Sequence, residues 1–248
     1  MALERLLEGF ATFRTQYYPR HRELYERLAR EGQSPRVLII GCADARVDPA
    51  ILTQTRPGDL FIVRNVGAIV PPFQRDHQFH GTSSAVEFAV RGLQVEHIVI
   101  LGHALCGGLR ALYEGDESPL SSYDFLFDWV RIAQPAKDAV LGAMPKDAPV
   151  EHVRRAIEQA SVVNTVANLM TFDWVVERVK AGTLSIHGWY FDMTRAQLFA
   201  FDPQTCAFAK VDIGDVPAAA VAALSQDCAP ETVRGRLARF AEAAKAGF

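Results

Sequence analysis

The chain has 248 residues, of which 49% are hydrophobic and 22% charged, and its formal net charge is −3 at pH 7. This length can bury one substantial core, and the interleaved, nearly balanced charges exclude recruitment of nucleic acid by bulk charge. The apolar runs are far shorter than the roughly 20 residues of a membrane-spanning helix. The N-terminus also lacks the pattern of a signal peptide, so we expect a cytoplasmic protein without nucleic acid or membrane partners.

The first 32 residues predict an N-terminal helical arm. Apolar residues from Leu3 to Leu28 recur at spacings of mostly three and four, which is typical of amphipathic helices. A break is expected near Tyr18, because Pro19 suits the first turn of a second helix. We predict three regions: the arm over 1–32, an α/β core over 33–215, and a helical tail over 216–248.

Beyond the arm, short apolar runs alternate with helical stretches, as in strands buried on both faces of a parallel sheet. We predict strands at 36–41, 60–66, 96–102, 183–192 and 196–201, with helices over 121–144 and 150–180. Asp48 is the expected N-cap of a short helix that begins at Pro49. The pattern predicts an α/β fold, a mostly parallel central sheet of strand order 2-1-3-4 plus an edge strand, flanked by helices.

Two cysteines and a histidine fall where the first and third strands end. Cys42 follows the first strand, and His103 and Cys106 follow the third. Ligands bind outside the carboxyl ends of strands in open α/β sheets, so the two loops share one crevice if these strands are neighbours. Two thiolates and one imidazole form a three-ligand zinc set with an open fourth position, as in catalytic sites. We therefore predict one zinc ion per chain.

A charged pair and two glycines accompany these ligands. Asp44 and Arg46 stand beside an apolar sheet terminus, where each charge needs a partner, although a solvated turn would show the same residues. Gly107 and Gly108 open a helix. Their N–H groups can bind an anion, and the absence of side chains also allows close packing. Cys206 and Cys228 have no matching spacing and are expected to be ordinary thiols.

The pattern Cys42-x-Asp44-x-Arg46, followed about sixty residues later by His103-x-x-Cys106-Gly-Gly, resembles the β-class carbonic anhydrases. Gln33 and the segment Val70-Pro71-Pro72-Phe73 resemble the plant-type branch of that family. The resemblance implies zinc-dependent, reversible hydration of carbon dioxide to bicarbonate and a proton, by attack of zinc-bound hydroxide. Two alternatives stay open: a hydrolase of carbonyl sulfide or carbon disulfide, and a non-catalytic zinc- or bicarbonate-binding regulator.

The resemblance also implies roles for individual residues. Asp44 and Arg46 are the expected catalytic pair, in which Asp44 either binds Arg46 or takes the fourth zinc position. Some family members bind an inhibitory bicarbonate through a tryptophan, an arginine and a tyrosine. Here only Arg64 matches, so we expect Asp44 to pair with Arg46.

The same resemblance implies a substrate site that two subunits share. Gln33 reaches the substrate across a subunit boundary, and Phe88 stands where the family usually has tyrosine. The chain is therefore expected to form a homodimer or a higher even homo-oligomer, with the arm packed on a partner subunit. The expected substrate-binding residues are Gln33, Phe61, Val66, Phe88 and Gly107.

Overall fold

A six-stranded sheet organises the chain, whose computed structural model describes residues 2–76, 78–212 and 230–246. Its strands lie in the order β2-β1-β3-β4-β5-β6, with the first four parallel and the last two antiparallel to their neighbours. The predicted order 2-1-3-4 is confirmed, and β6 is a strand that the sequence analysis missed. The strands are β1 (Val37–Cys42), β2 (Leu60–Asn65), β3 (His97–His103), β4 (Ser185–Asp192), β5 (Gln197–Asp202) and β6 (Ala207–Lys210).

Helices form the arm and flank the sheet, and no helix of the described ranges is long and apolar enough to cross a lipid bilayer. Part of the predicted tail, including Cys228, lies outside the described residues. The predicted helix over 121–144 begins only at residue 126, because residues 118–123 form hydrogen-bonded turns. The helices are α1 (Ala2–Thr12), α2 (Tyr18–Arg20), α3 (Arg22–Glu31), α4 (Pro49–Thr53), α5 (Gly81–Glu87), α6 (Gly107–Glu114), α7 (Leu126–Val130), α8 (Gln134–Ala143), α9 (Val150–Leu169), α10 (Asp173–Lys180) and α11 (Pro230–Ala243).

The arm is helical as predicted, but its break lies at His21 rather than near Tyr18. A π-helical turn over Phe13–Tyr17 joins α1 to α2, so the helix continues through Pro19 before the backbone turns at His21. Pro19 lies in the first turn of α2, where its missing N–H costs little. The apolar stripe of α1 has no cover within this chain, since four large side chains are 60–70% exposed: Leu3, Leu6, Leu7 and Phe10.

Helix α9 packs against one face of the sheet, where it contacts β3 and β4. Its residues from 156 to 169 are all buried, and its contact with β3 and β4 is close because both strands carry glycine there. A Cβ atom added at Gly102 would lie 2.5 Å from Val162 Cγ2, and one at Gly188 would lie 3.0 Å from Val162 Cγ1. The glycines therefore set the distance between helix and sheet.

Gly102→Ala should lower the free energy of unfolding by about 1–3 kcal/mol, because the stiff side chain of Val162 has no room to move away from the added methyl group. Gly142→Ala in α8 is the control, since nothing lies within 4 Å of its Cβ position. Urea unfolding of both variants measures the difference. Equal stability of the two would contradict this account of the helix–sheet contact.

Candidate metal centre

Cys42, His103 and Cys106 converge at the carboxyl end of the sheet. Cys42 and His103 are the last residues of the neighbouring strands β1 and β3, and Cys106 immediately precedes α6. The two sulfur atoms lie 4.0 Å apart, and the three donor atoms all lie within 4.8 Å of one another. All three side chains are buried. The two ligand loops therefore meet at one edge of the sheet, as expected from the strand ends.

The state of His103 fits a metal ligand. Its Nδ1 lies 2.8 Å from the carbonyl oxygen of Ala104, which makes Nδ1 the N–H donor. Its Nε2 is buried and has no hydrogen-bond partner among the described residues. A neutral imidazole that donates from one nitrogen presents a lone pair on the other, which is the form that binds metals.

The cysteines also fit a metal centre. The Cys106 thiol hydrogen-bonds to the Cys42 sulfur, and this contact lowers the pKa of Cys42 to about 4 while it raises the pKa of Cys106. The N–H of Gly67 lies 3.4 Å from the Cys42 sulfur and donates to it. A dication bound by both sulfur atoms would keep both cysteines as thiolates. Two thiolates and an imidazole are a donor set that suits Zn²⁺.

Asp44 and Arg46 form an ion pair beside the metal ligands. Arg46 donates from Nε to Asp44 Oδ1 over 2.9 Å and from Nη2 to Asp44 Oδ2 over 2.6 Å. The side-chain hydrogen bond from Arg46 holds the pKa of the Asp44 carboxyl well below its usual range. The same Nη2 also donates to the Leu105 carbonyl over 3.0 Å, which joins the two ligand loops. The two side chains thus bind each other in this structure, and their catalytic role stays a prediction.

Arg64 donates hydrogen bonds to the loop after β1. It donates to the carbonyl oxygens of Cys42 and Asp44, over 3.0 and 2.7 Å, and to the carboxylate of Asp48 over 3.0 Å. Asp48 is the predicted N-cap of α4, and it accepts hydrogen bonds from the N–H groups of residues 50 and 51. Arg64 therefore bonds to three groups of its own chain.

A buried carboxylate supports the loop after β3, and the sequence analysis missed it. Glu158 of α9 accepts the N–H of Cys106 over 3.0 Å and the hydroxyl of Tyr190 over 2.6 Å. Burial raises the pKa of Glu158, and it also raises the pKa of Tyr190. One signal was available, because Glu158 is the only charged residue between Arg155 and Asp173. A single carboxylate in the middle of a buried helix indicates a specific partner.

The expected substrate residues fall into two groups. Val66 and Gly107 lie at the metal end, where Gly108 allows close packing because a Cβ there would lie 2.5 Å from Val66 Cγ1. Gln33 precedes the amino end of β1, whereas Cys42 is the last residue of that six-residue strand, which is roughly 20 Å long.

Phe61 and Phe88, like Gln33, lie far from Cys42 in the same chain. Phe61 is the second residue of β2, and its ring centroid lies 5.8 Å from that of Phe88. Phe61 pairs with Leu38 near the amino end of β1, four positions before Cys42 in the register. One chain therefore does not bring the five residues together.

An apolar cleft opens beside the metal end. It has a volume of about 760 Å³, and Val66, Leu126, Trp129 and Ile132 contribute to its wall. The Trp129 indole N–H donates to the carbonyl of Val66 over 2.7 Å, which fixes the wall next to the ligand loops. Phe125 stands at the cleft with most of its ring exposed. The cleft is much larger than a three-atom substrate needs.

Comparisons with known proteins agree with this site. A family model described as carbonic anhydrase matches residues 37–198. The carbonic anhydrase of Synechococcus elongatus is 35% identical over 196 residues, which are 79% of this chain and 70% of that protein. The chloroplastic β carbonic anhydrase 5 of Arabidopsis thaliana is 35% identical over 185 residues, which are 75% of this chain and 60% of that protein.

The fold agrees as well. The solved structure of the β-carbonic anhydrase CcaA superposes with a TM-score of 0.79 at 31% identity, covering 85% of this chain and 92% of that chain. The matched region contains the Cys42, His103 and Cys106 cluster, and the Arabidopsis relative agrees with the predicted resemblance to the plant-type branch. The chain therefore belongs to the β-class carbonic anhydrase family.

Proposed function

We propose that this protein catalyses the zinc-dependent, reversible hydration of carbon dioxide to bicarbonate and a proton. The observation that carries the proposal is the convergence of Cys42, His103 and Cys106, with Nε2 of His103 unpartnered among the described residues. The ion-paired Asp44 follows Cys42 by two residues. A zinc ion held by these donors would supply hydroxide near neutral pH, because the metal lowers the pKa of its water to about 7.

Asp44 orients the attacking oxygen nucleophile. Arg46 keeps this carboxylate ionised and away from the metal. The Oδ2 atom of Asp44 accepts one hydrogen bond from the Arg46 guanidinium. A carboxylate oxygen has a second lone pair, so Oδ2 can also accept the O–H of the nucleophile. That hydrogen bond directs the remaining lone pair of the nucleophile toward the carbon of the substrate.

The substrate site forms between two subunits. Val66 and Gly107 belong to the metal end of one chain, while Gln33, Phe61 and Phe88 come from the second copy, whose side chains exclude water and orient the substrate. Three observations support this arrangement: the length of β1 between Gln33 and Cys42, the open apolar cleft beside Val66, and the uncovered apolar stripe of α1. A homodimer or a higher even assembly follows.

The two alternative functions have less support. Nothing in the described residues favours carbonyl sulfide or carbon disulfide as the substrate. A non-catalytic regulator would not need Asp44 held by Arg46 at the metal end, yet that pair is present. The predicted cytoplasmic location and the three predicted regions stay predictions.

Stopped-flow measurement of carbon dioxide hydration tests the function directly. The purified protein should contain about one zinc per chain and should accelerate hydration well above the buffer rate. Removal of zinc with a chelator should abolish the acceleration, and added zinc should restore it. A fully zinc-loaded protein that leaves the buffer rate unchanged would refute the proposal.

Two cysteine variants test whether Cys106 is a zinc ligand. Cys106→Ser should lose most of its zinc, because a hydroxyl is a poor substitute for a thiolate on this soft site. Cys206→Ser should keep its zinc, since Cys206 is buried in a different cluster and its thiol donates to the carbonyl of Pro203. Full metal content in Cys106→Ser would show that Cys106 is not a ligand.

Arg46→Ala should keep its zinc and lose activity by about ten- to a hundredfold, because Asp44 is then free to move onto the metal. Elemental analysis and stopped-flow assays separate these two effects. Arg110→Ala is the control, since Arg110 pairs with Glu114 over 2.7 Å on the exposed side of α6 and should be silent. An Arg46→Ala protein with ordinary turnover would remove the ion pair from the mechanism.

Complementation between two inactive chains tests the shared site. Gln33→Ala keeps the metal ligands, and Cys106→Ser keeps Gln33, so a mixed dimer restores one complete site if Gln33 acts across the interface. Mixed dimers isolated with two affinity tags should recover about half of the wild-type activity, because one of two equivalent sites is intact. If Gln33 acts within its own chain, the mixed dimer stays as inactive as either parent.

A further inference from the structure

The turn between β3 and α6 carries two of the three proposed metal ligands in four residues. Leu105, in its middle, has a φ of +61°, which is a left-handed conformation that a leucine rarely adopts. Its side chain is exposed and therefore offers little packing to stabilise this conformation. The surrounding contacts must hold the backbone in place.

Hydrogen bonds to other elements hold this turn. The N–H of Ala104 donates to the carbonyl of Phe191, and the carbonyl of Leu105 accepts from Arg46. The N–H of Cys106 donates to Glu158 over 3.0 Å. Of these, the bond to Glu158 acts directly on a ligand residue, and its acceptor is a carboxylate, which accepts more strongly than a carbonyl.

Glu158 is itself held in one orientation. It is 7% exposed, and the Tyr190 hydroxyl donates to its second oxygen over 2.6 Å. Tyr190 is fully buried on β4, with the Arg155 guanidinium 5.3 Å from its ring centroid. Both carboxylate oxygens are therefore bonded, and neither partner can move without leaving a buried polar group unsatisfied.

We propose that Glu158, oriented by Tyr190, is a positioning residue for the metal centre. Its bond to the Cys106 N–H fixes the backbone at the left-handed turn, so that the Cys106 sulfur converges with the Cys42 sulfur and with Nε2 of His103. Without that bond the turn relaxes from its strained conformation, and the sulfur moves away from the other donors. This inference rests on the proposed function, because it assumes that the three donors bind a metal ion.

Zinc affinity, measured by competition with a chromophoric chelator, tests the proposal without reference to activity. Glu158→Ala should bind zinc about 10- to 100-fold more weakly, which is the usual effect of losing a group that orients a ligand. Glu158→Gln should recover most of this loss, because its amide oxygen can still accept the Cys106 N–H. Cobalt substitution gives a second readout, since a displaced thiolate weakens the sulfur-to-cobalt absorption band.

Asn168→Ala is the matched control on the same helix. Asn168 is buried like Glu158 and donates to the carbonyl of Val70 over 2.8 Å, away from the ligand turn. Its loss should reduce the free energy of unfolding and leave zinc affinity unchanged. A general weakening of α9 would instead lower zinc affinity in both variants, and that result would overturn the positioning role.

Tyr190→Phe keeps the test decisive if Glu158→Ala does not fold. It removes one hydroxyl and retains the ring, so zinc should bind several-fold more weakly than in Asn168→Ala. Wild-type affinity in both Tyr190→Phe and the foldable Glu158 variants would refute the proposal. A wild-type protein that takes up no zinc would instead refute the metal centre itself, so the two failures can be told apart.

Discussion

Two buried sulfur atoms 4.0 Å apart, with an imidazole nitrogen beside them, are the constraint on which the rest of this structure depends. Two thiolates at that distance repel each other in a medium of low dielectric constant, so without a cation the pair keeps one proton. A bound zinc ion would remove this repulsion and would satisfy the buried nitrogen of His103 at the same time. The same burial that makes the metal-free cluster costly therefore favours metal binding.

The fold meets this constraint by holding each ligand loop with charged side chains from elsewhere in the chain. Arg64 of β2 binds the carbonyls of Cys42 and Asp44, and Glu158 of α9 binds the N–H of Cys106. Arg46 joins the two loops through Asp44 and the carbonyl of Leu105. Since charged groups form stronger hydrogen bonds to the backbone than neutral groups do, these contacts make the loops rigid at the point where donor positions matter most.

The opposite end of the sheet has a different task in the proposed enzyme. Gln33, Phe61 and Phe88 are remote from Cys42 in the same chain, and the arm presents an apolar stripe that its own chain leaves exposed. The metal end carries an apolar cleft that is too large for carbon dioxide alone. These features complement one another if two chains meet, so assembly would complete the substrate site as well as bury apolar surface.

Local patterns were sufficient to predict much of this architecture. Continuous apolar runs marked the inner strands because both faces of those strands are buried, and Asp48 before Pro49 marked α4 because caps act over a few residues. The ligand cluster was also predictable, since parallel strands bring their carboxyl ends to one edge of the sheet. The break in the arm was misplaced because the π-helical turn before Pro19 has no local signature in the residues Phe13–Tyr17. Tertiary structure alone decided the partners of Arg64, Glu158 and Tyr190, because these contacts join residues 16 to 52 positions apart in the chain. The contacts of Glu158 depend on how closely α9 lies on the sheet, and no spacing within the sequence records that distance.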